Sequence, residues 1–232
     1  MAAILFTGRK VDENYLLTVF IASGYILLLN LPRNFNALQF IHSEWNWSGK
    51  ILAIIFSFLC IFYFRHKLSL QDVGLTLKFK QGSFKPARIF TICYLSIICV
   101  GSFFFQGNLP HNMNKDDILY NTAIMPDFSE ELMERGILLV LLNNIFGKKW
   151  MFFGAQAGMG LIFICLFFGL EHGLFINHGF TITFLPFDFL RTFFVSALAF
   201  GWLKERTGNL VFPTIAHYGT EAILTMLIVS FF

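Results

Sequence analysis

Charge is what this chain has least of. Asp, Glu, Lys and Arg make up 13% of its 232 residues, against about 25% in soluble globular domains. Beside a hydrophobic content of 56% and 32 phenylalanines, that scarcity excludes an ordinary soluble domain and implies a polytopic membrane protein. The net charge of +3 is small and its basic residues sit in short loops, so they read as topology signals and not as a nucleic-acid surface. Cysteine is sparse as well. Cys60, Cys93, Cys99 and Cys165 all fall within apolar runs, and no pair has CxxC spacing; they are expected to be buried small hydrophobes. The chain has no HExxH, so the usual zinc-peptidase signature is missing. It also lacks a repeat, a low-complexity tract and a dividing polar linker, which leaves one integral-membrane domain over residues 1–232.

The apolar runs are plentiful. Residues 15–31, 51–64, 89–105, 127–145, 150–176, 187–203 and 210–232 are the expected spans. The fold class is therefore an all-α transmembrane bundle of seven spans, or eight if part of the connector 106–128 also crosses. The first run follows Arg9 and Lys10 but has no small-x-small cleavage site after it, so it is expected to be a span and not a cleaved signal. Trp45 and Trp47, in the loop before the second run, suit the headgroup layer. Gly154, Gly158 and Gly160 open the fifth run and favour close helix packing. Leu75, Leu77 and Phe79 alternate with Thr76, Lys78 and Lys80, which fits either a short strand or a strip lying on the membrane. Arg9–Lys10 and the loops 65–88, 148–149 and 204–206 are the cation-rich segments. With seven crossings all four share one side, which the positive-inside rule assigns to the cytoplasm.

Against this background the stretch Ser129-Glu130-Glu131-Leu132-Met133-Glu134-Arg135 stands out. Ionisable groups beside a spanning helix are costly and mark function by default. The bland reading is a decorated helix start, with Asp127 as cap and Glu130 three residues on completing a capping box. Glu131 and Arg135 are spaced i, i+4 with the acid first, the favourable order for an ion pair. His172 closes a long apolar run one turn after Phe168. His217 lies inside the last span, with Glu221 one turn further on the same face. Three acids and two histidines from three helices, Glu130, Glu131, His172, His217 and Glu221, can activate water. A carboxylate paired with a histidine can take a proton from water as it attacks a carbonyl, and a second histidine can donate to the oxyanion. Alternatively Glu130, His172, His217 and Glu221 could hold a divalent metal such as zinc.

The order of these motifs, Glu130-Glu131-x-x-x-Arg135, Phe168-x-x-x-His172 and His217-x-x-x-Glu221, resembles the CAAX-protease and bacteriocin-processing (CPBP, or Abi) family of intramembrane proteases. The stretch Gly201-Trp202-Leu203-Lys204-Glu205-Arg206-Thr207-Gly208-Asn209-Leu210 leading to Pro213 is similar too. The likeness covers residues 125–225, the catalytic half. It implies that Glu130 is the base on water, His172 its partner, Glu131 a support, Arg135 the anchor of the glutamate pair and His217 an oxyanion donor. It also implies a peptidase that acts on peptide or protein tails at a lipid bilayer, in a bacterial cytoplasmic membrane, with no nucleic-acid partner. One position departs from the pattern: Glu221 stands where the family usually has Asn, and an ionised Glu only accepts hydrogen bonds. A non-catalytic scaffold or bacteriocin-immunity protein of the same fold is the alternative. A solute or proton transporter ranks last, because no inverted repeat is visible. The charge-derived topology sets Glu130 and His172 toward the outer face while His217 starts from the inner side, so either the site lies at middle depth or a helix around 106–128 alters the count.

Overall fold

The computed structural model describes residues 13–42, 45–104, 114–176 and 182–231. Arg9–Lys10, most of the first half of the connector, and the ends of the third and seventh expected spans at Phe105 and Phe232 lie outside them. The fold is all-α apart from two short antiparallel hairpins. Helix α1 is Glu13–Asn34, α2 Trp47–Tyr63, α3 the single turn Leu70–Val73, α4 Phe84–Phe104 and α5 Lys115–Asn121. Helix α6, Ile124–Glu131, runs without a break through a π-helical segment, Leu132–Leu138, into α7, Leu139–Phe146. The hairpin β1 Trp150–Phe152 and β2 Ala155–Ala157 leads into α8, Met159–Gly173. A second hairpin, β3 Leu174–Ile176 and β4 Ile182–Phe184, leads to α9, Pro186–Arg191. A second π segment, Thr192–Ala197, joins α9 to α10, Leu198–Thr207, and α11, Val211–Phe231, closes the chain.

The α6–π–α7 rod is the centre of the molecule. Helices α1, α2, α8 and α11 all pack against one part of it or another. Every residue from Leu132 to Leu138 is buried. The reason is local sequence: two turns with no residue that prefers solvent, except Glu134 and Arg135, which pair with each other. Gly160 lets α8 approach closely, since a Cβ there would stand 2.8 Å from Asn143 Oδ1. The outer surface is apolar. Phe20, Phe62, Ile97 and Phe104 are each more than 60% exposed, while Ser57, Glu131, Glu134 and Arg135 are inside. So many large apolar side chains outside exceed what a soluble protein exposes, while the interior is apolar as well apart from the ionic cluster.

Two helical stretches, Glu13–Pro32 and Phe84–Phe104, are long and apolar enough to cross a membrane. At 1.5 Å per residue the second is about 32 Å long, which matches a hydrocarbon core of roughly 30 Å. Helices α2 and α8 are apolar but shorter. The other expected spans are helical without meeting both criteria.

Several sequence expectations change. The fifth expected span, 150–176, is helical only over Met159–Gly173, because β1–β2 occupies its start and β3 its end. Gly154 and Gly158 therefore serve a turn and a helix entry, and Gly160 alone of the three packs helix on helix. Asp127 is not a cap: the helix already starts at Ile124, behind Ala123, so Asp127 lies inside its first turn and a capping box with Glu130 cannot form. The described part of the connector holds α5, too short to span, whose capping box is Asn114 with Asp117. Trp45 donates to Asp117 Oδ1 at 2.6 Å and stacks on Tyr120 at 4.6 Å, which ties that helix to the loop before α2. Cys60 and Cys165 are buried as expected, but Cys93 and Cys99 face outward. Residues 75–80 form no strand. Phe79 turns in against Phe84 and Phe212 while Leu77 points out.

The cation-rich loops knit together. Lys80 N donates to Thr207 O at 2.9 Å and Leu210 N to Gly74 O at 3.1 Å. Arg206 Nη1 donates to Gly154 O at 2.8 Å. Gly208, at φ +79°, ends α10 in the left-handed conformation that only glycine adopts freely. Lys204, just past the sixth apolar run, is buried and donates to Asp72 O at 2.6 Å. Burial pushes its ammonium down; Glu205 opposes the shift and the nearby Lys148 and Lys80 add to it, so that it titrates at about 7. The unfolded chain keeps that proton up to about pH 10.4. Between about pH 7 and 10 the unfolded state therefore binds more protons, and stability rises with pH. The penalty is largest below pH 7 and is on the order of a few kcal/mol. We expect Lys204→Met to flatten the rise of the unfolding midpoint between pH 7 and 10, followed by circular dichroism in detergent.

Candidate active site

The site grows from the segment where α6 becomes the π helix. In an α-helix Glu130, Glu131 and Glu134 would fan around one end of the rod. Here the widened turn keeps Glu131, Glu134 and Arg135 all wholly inside; such widened turns recur at functional sites. Arg135 Nη1 lies 3.2 Å from Glu131 Oε1 and 3.0 Å from Glu134 Oε2. The i, i+4 pair read from the sequence is thus present, with a second acid added to it. The guanidinium stacks over Phe168 of α8 at 4.1 Å, which is how Phe168 supports the site. A planar, weakly hydrated cation over an aromatic face is the arrangement that burial tolerates best.

His217 comes from the second turn of α11. Its Nδ1 is 3.0 Å from Glu131 Oε1, and a carboxylate accepts, so Nδ1 carries a proton. The other nitrogen, Nε2, is 3.8 Å from both Asp127 Oδ1 and Glu130 Oε2. The ring lies against Phe200 at 4.9 Å, nearly parallel, and meets Phe168 edge-on at 5.6 Å. These two aromatics fix the plane of the imidazole and Glu131 fixes its rotation.

Glu130 is divided between two tasks. Its Oε1 forms an ion pair with Lys50 at the head of α2. Its Oε2 is buried and has no hydrogen-bond partner among the described residues. The gap of 3.8 Å to His217 Nε2 is beyond a direct hydrogen bond and within reach of a bridging water. Asp127 Oδ2 and Glu131 Oε2 are likewise buried and unpartnered.

His172 stands at the end of α8, with Nδ1 3.0 Å from the Phe168 carbonyl. A carbonyl only accepts, so the proton is on Nδ1 and Nε2 of the neutral ring is the basic nitrogen. The ring is near enough to Glu130 and His217 for their charges to act on one another. Glu221 interacts electrostatically with His217, Glu130 and Arg191. It does not orient His217, since that ring is held by Glu131. All five residues singled out in the sequence thus belong to one neighbourhood.

The sequence did not single out Lys50, Asp127 and Phe200 as parts of the site. Lys50 left a signal, as a lone cation at the head of an apolar run. Asp127 was visible only as a cap. Phe200 is one of 32 phenylalanines and left none.

The metal alternative needs Glu130, His172, His217 and Glu221 to converge. Among the described residues no group of three or more His, Cys, Asp or Glu is arranged to hold a metal ion. Glu130, one of the four, already carries the Lys50 ammonium, which competes with a metal for that carboxylate. The residues as they stand do not fit a metal, and no step below runs through one.

Residues 118–223 match the family described as type II CAAX prenyl endopeptidase Rce1-like. That segment, just under half of the chain, is similar to an Rce1-like domain. Its bounds agree with the resemblance carried by the motifs at Glu130, His172 and His217, and it takes in every site residue named above except Lys50. The curated proteins offer no match, and neither do the solved structures.

Removing a partner from a buried ion cluster strands charge and is strongly destabilising. We expect Arg135→Met to reduce stability by about 3–5 kcal/mol, measured as the shift in the unfolding midpoint in detergent. Adding Glu134→Met to that variant should recover part of the loss, because one fewer carboxylate is left bare.

Proposed function

We propose that the chain is an intramembrane endopeptidase that hydrolyses peptide bonds in membrane-associated peptide or protein tails, with water activated by glutamate and histidine. The observation that carries this reading is the division of labour around His217. Glu131 holds one ring nitrogen, and the free oxygen of Glu130 faces the other across 3.8 Å. The outward apolar surface and the two membrane-length helices support a multi-pass bilayer protein. Its lysine-rich loops then face the cytoplasm.

In the proposed reaction Glu130 Oε2 accepts a proton from water as the water oxygen bonds to the scissile carbonyl carbon. The carbonyl π electrons move onto its oxygen. His217, charged at that moment, donates from Nε2 to the oxyanion, while Glu131 holds the ring in place. Collapse of the tetrahedral intermediate breaks the C–N bond. The departing amine takes the proton held by Glu130, directly or through His172 Nε2. Arg135 and Phe168 do not touch the substrate; they position the glutamates. Glu221, in its protonated form, adds a second donor to the oxyanion, the part a neutral Asn plays by resemblance.

Two quenched peptides ending in Cys-aliphatic-aliphatic-X, one farnesylated and one bare, test the reading with purified protein. Wild type should cleave at least one. Glu130→Gln, which still offers Lys50 an oxygen though no charge, should lose about a hundredfold or more in kcat per folded molecule, with an unfolding midpoint that is lowered but stays above the assay temperature. Cleavage by neither peptide's wild-type reaction, or an unimpaired Glu130→Gln enzyme, would favour the scaffold or immunity alternative. At position 221, Gln should retain activity within a few-fold and Ala should lose roughly tenfold to a hundredfold. Equal activities of the Gln and Ala variants would remove Glu221 from the mechanism.

A further inference from the structure

The cation-rich loops line a half-open cavity of about 450 Å³ that Arg135 also borders. It runs along α7 toward Asn143, roughly 18 Å from Glu131 along the rod. This size lies in the range of small-ligand sites. Five lysines line it, Lys67, Lys78, Lys80, Lys148 and Lys204, against two acids, Asp72 and Glu205. Both acids are already engaged. Glu205 takes Lys148 and the amide of Asn143, and Asp72 accepts from Ser69 Oγ at 2.5 Å.

Three of the lysines, Lys78, Lys80 and Lys204, form no ion pair with a carboxylate among the described residues, whereas Lys67 takes Glu13 and Lys148 takes Glu205. Lys80 Nζ donates to the Glu205 carbonyl at 2.8 Å and Lys204 Nζ to the Asp72 carbonyl at 2.6 Å. Each bond uses one of three donors. At the inner end Arg135 is wholly buried, and its Nε and Nη2 have no hydrogen-bond partner among the described residues. From this convergence we infer that the cavity is a binding site for a phosphate group, either free or on the headgroup of an anionic lipid. A multiply charged oxyanion with several acceptors answers clustered cations better than a single carboxylate does. Burial lowers the titration of Lys80 and Lys204, and repulsion from Lys148 lowers both further; an anion held among them relieves that repulsion. The position on the lysine-rich face is where membrane proteins hold anionic headgroups. The cavity meets the peptidase centre at Arg135, which borders both, and the inference does not rest on the proposed peptidase activity.

Sodium phosphate, titrated into detergent-purified protein against sodium chloride at equal ionic strength, should raise the unfolding midpoint by several degrees. Lys78→Gln with Lys80→Gln should weaken that effect at least tenfold. Lys78→Gln alone, at an exposed side chain, should weaken it several-fold even if the double variant folds poorly. Glu130→Gln should leave it unchanged, which separates this site from the catalytic one. In nanodiscs, phosphatidylglycerol should compete with inorganic phosphate if the headgroup is the natural source, whereas equal phosphate binding in phosphatidylglycerol and phosphatidylcholine discs marks free phosphate as the source. The inference is overturned if neither phosphate nor phosphatidylglycerol stabilises the protein beyond chloride and phosphatidylcholine, or if the lysine variants bind as wild type does.

Discussion

A single buried guanidinium organises this protein. Arg135 has no contact with solvent, yet it carries a full charge that no protein environment removes. Everything around it answers that charge. Glu131 and Glu134 face it from its own rod, Phe168 offers it an aromatic face, and the π turn widens the helix to bring them together. Because Arg135 holds Glu131, and Glu131 holds His217, the cation fixes the imidazole two bonds removed. Three elements far apart in the chain, the rod, α8 and α11, are thereby locked to one point, and the scarcity of other charge makes that lock specific.

The electrostatics are tight. Asp127, Glu130, Glu131, Glu134, Glu171 and Glu221 set six carboxyl groups against the two permanent cations Lys50 and Arg135. The surplus of acid is reduced when His217 carries a second proton. A buried group of this kind is poor insurance for stability, since well-packed apolar side chains would serve as well. Its persistence in so apolar a chain is better understood as chemistry retained at the expense of packing. Among the described residues Asp127, Glu130 and Glu131 each keep one buried oxygen without a protein partner, and such an oxygen can hold a water.

What could be read from the sequence followed from the low background of charge. Where ionisable groups are rare, each one inside an apolar run is informative, so Glu130, Glu131, His172, His217 and Glu221 were recognisable together with the Glu131–Arg135 pair. The all-α class followed from the runs themselves. What escaped was set by tertiary geometry. Lys50 lies 80 residues before Glu130, and nothing local announces that the two meet. Asp127 was assigned to a cap because the helix was taken to start after Pro126, whereas Pro126 falls in the first turn, where its missing N–H is harmless. The hairpin at 150–157 was hidden because its exposed aromatic residues look like the start of a span. Apolar content alone cannot distinguish a strand lying against a bundle from a helix within it.

The Lys50–Glu130 pair resolves a problem that the glutamate base would otherwise face. A buried carboxylate with both oxygens free could rotate and lose its aim. One with both oxygens paired would have nothing to offer water. Binding one oxygen to a lysine from α2 anchors the group and leaves the other directed at the His217 side of the site. The same logic applies to both histidines, each of which commits Nδ1 to a fixed acceptor and keeps Nε2 for the reaction. Three side chains from three helices thus present one anchored atom and one working atom each. That repeated arrangement is hard to derive from packing alone, and it follows directly if the atoms left over must act together on a single water and a single carbonyl.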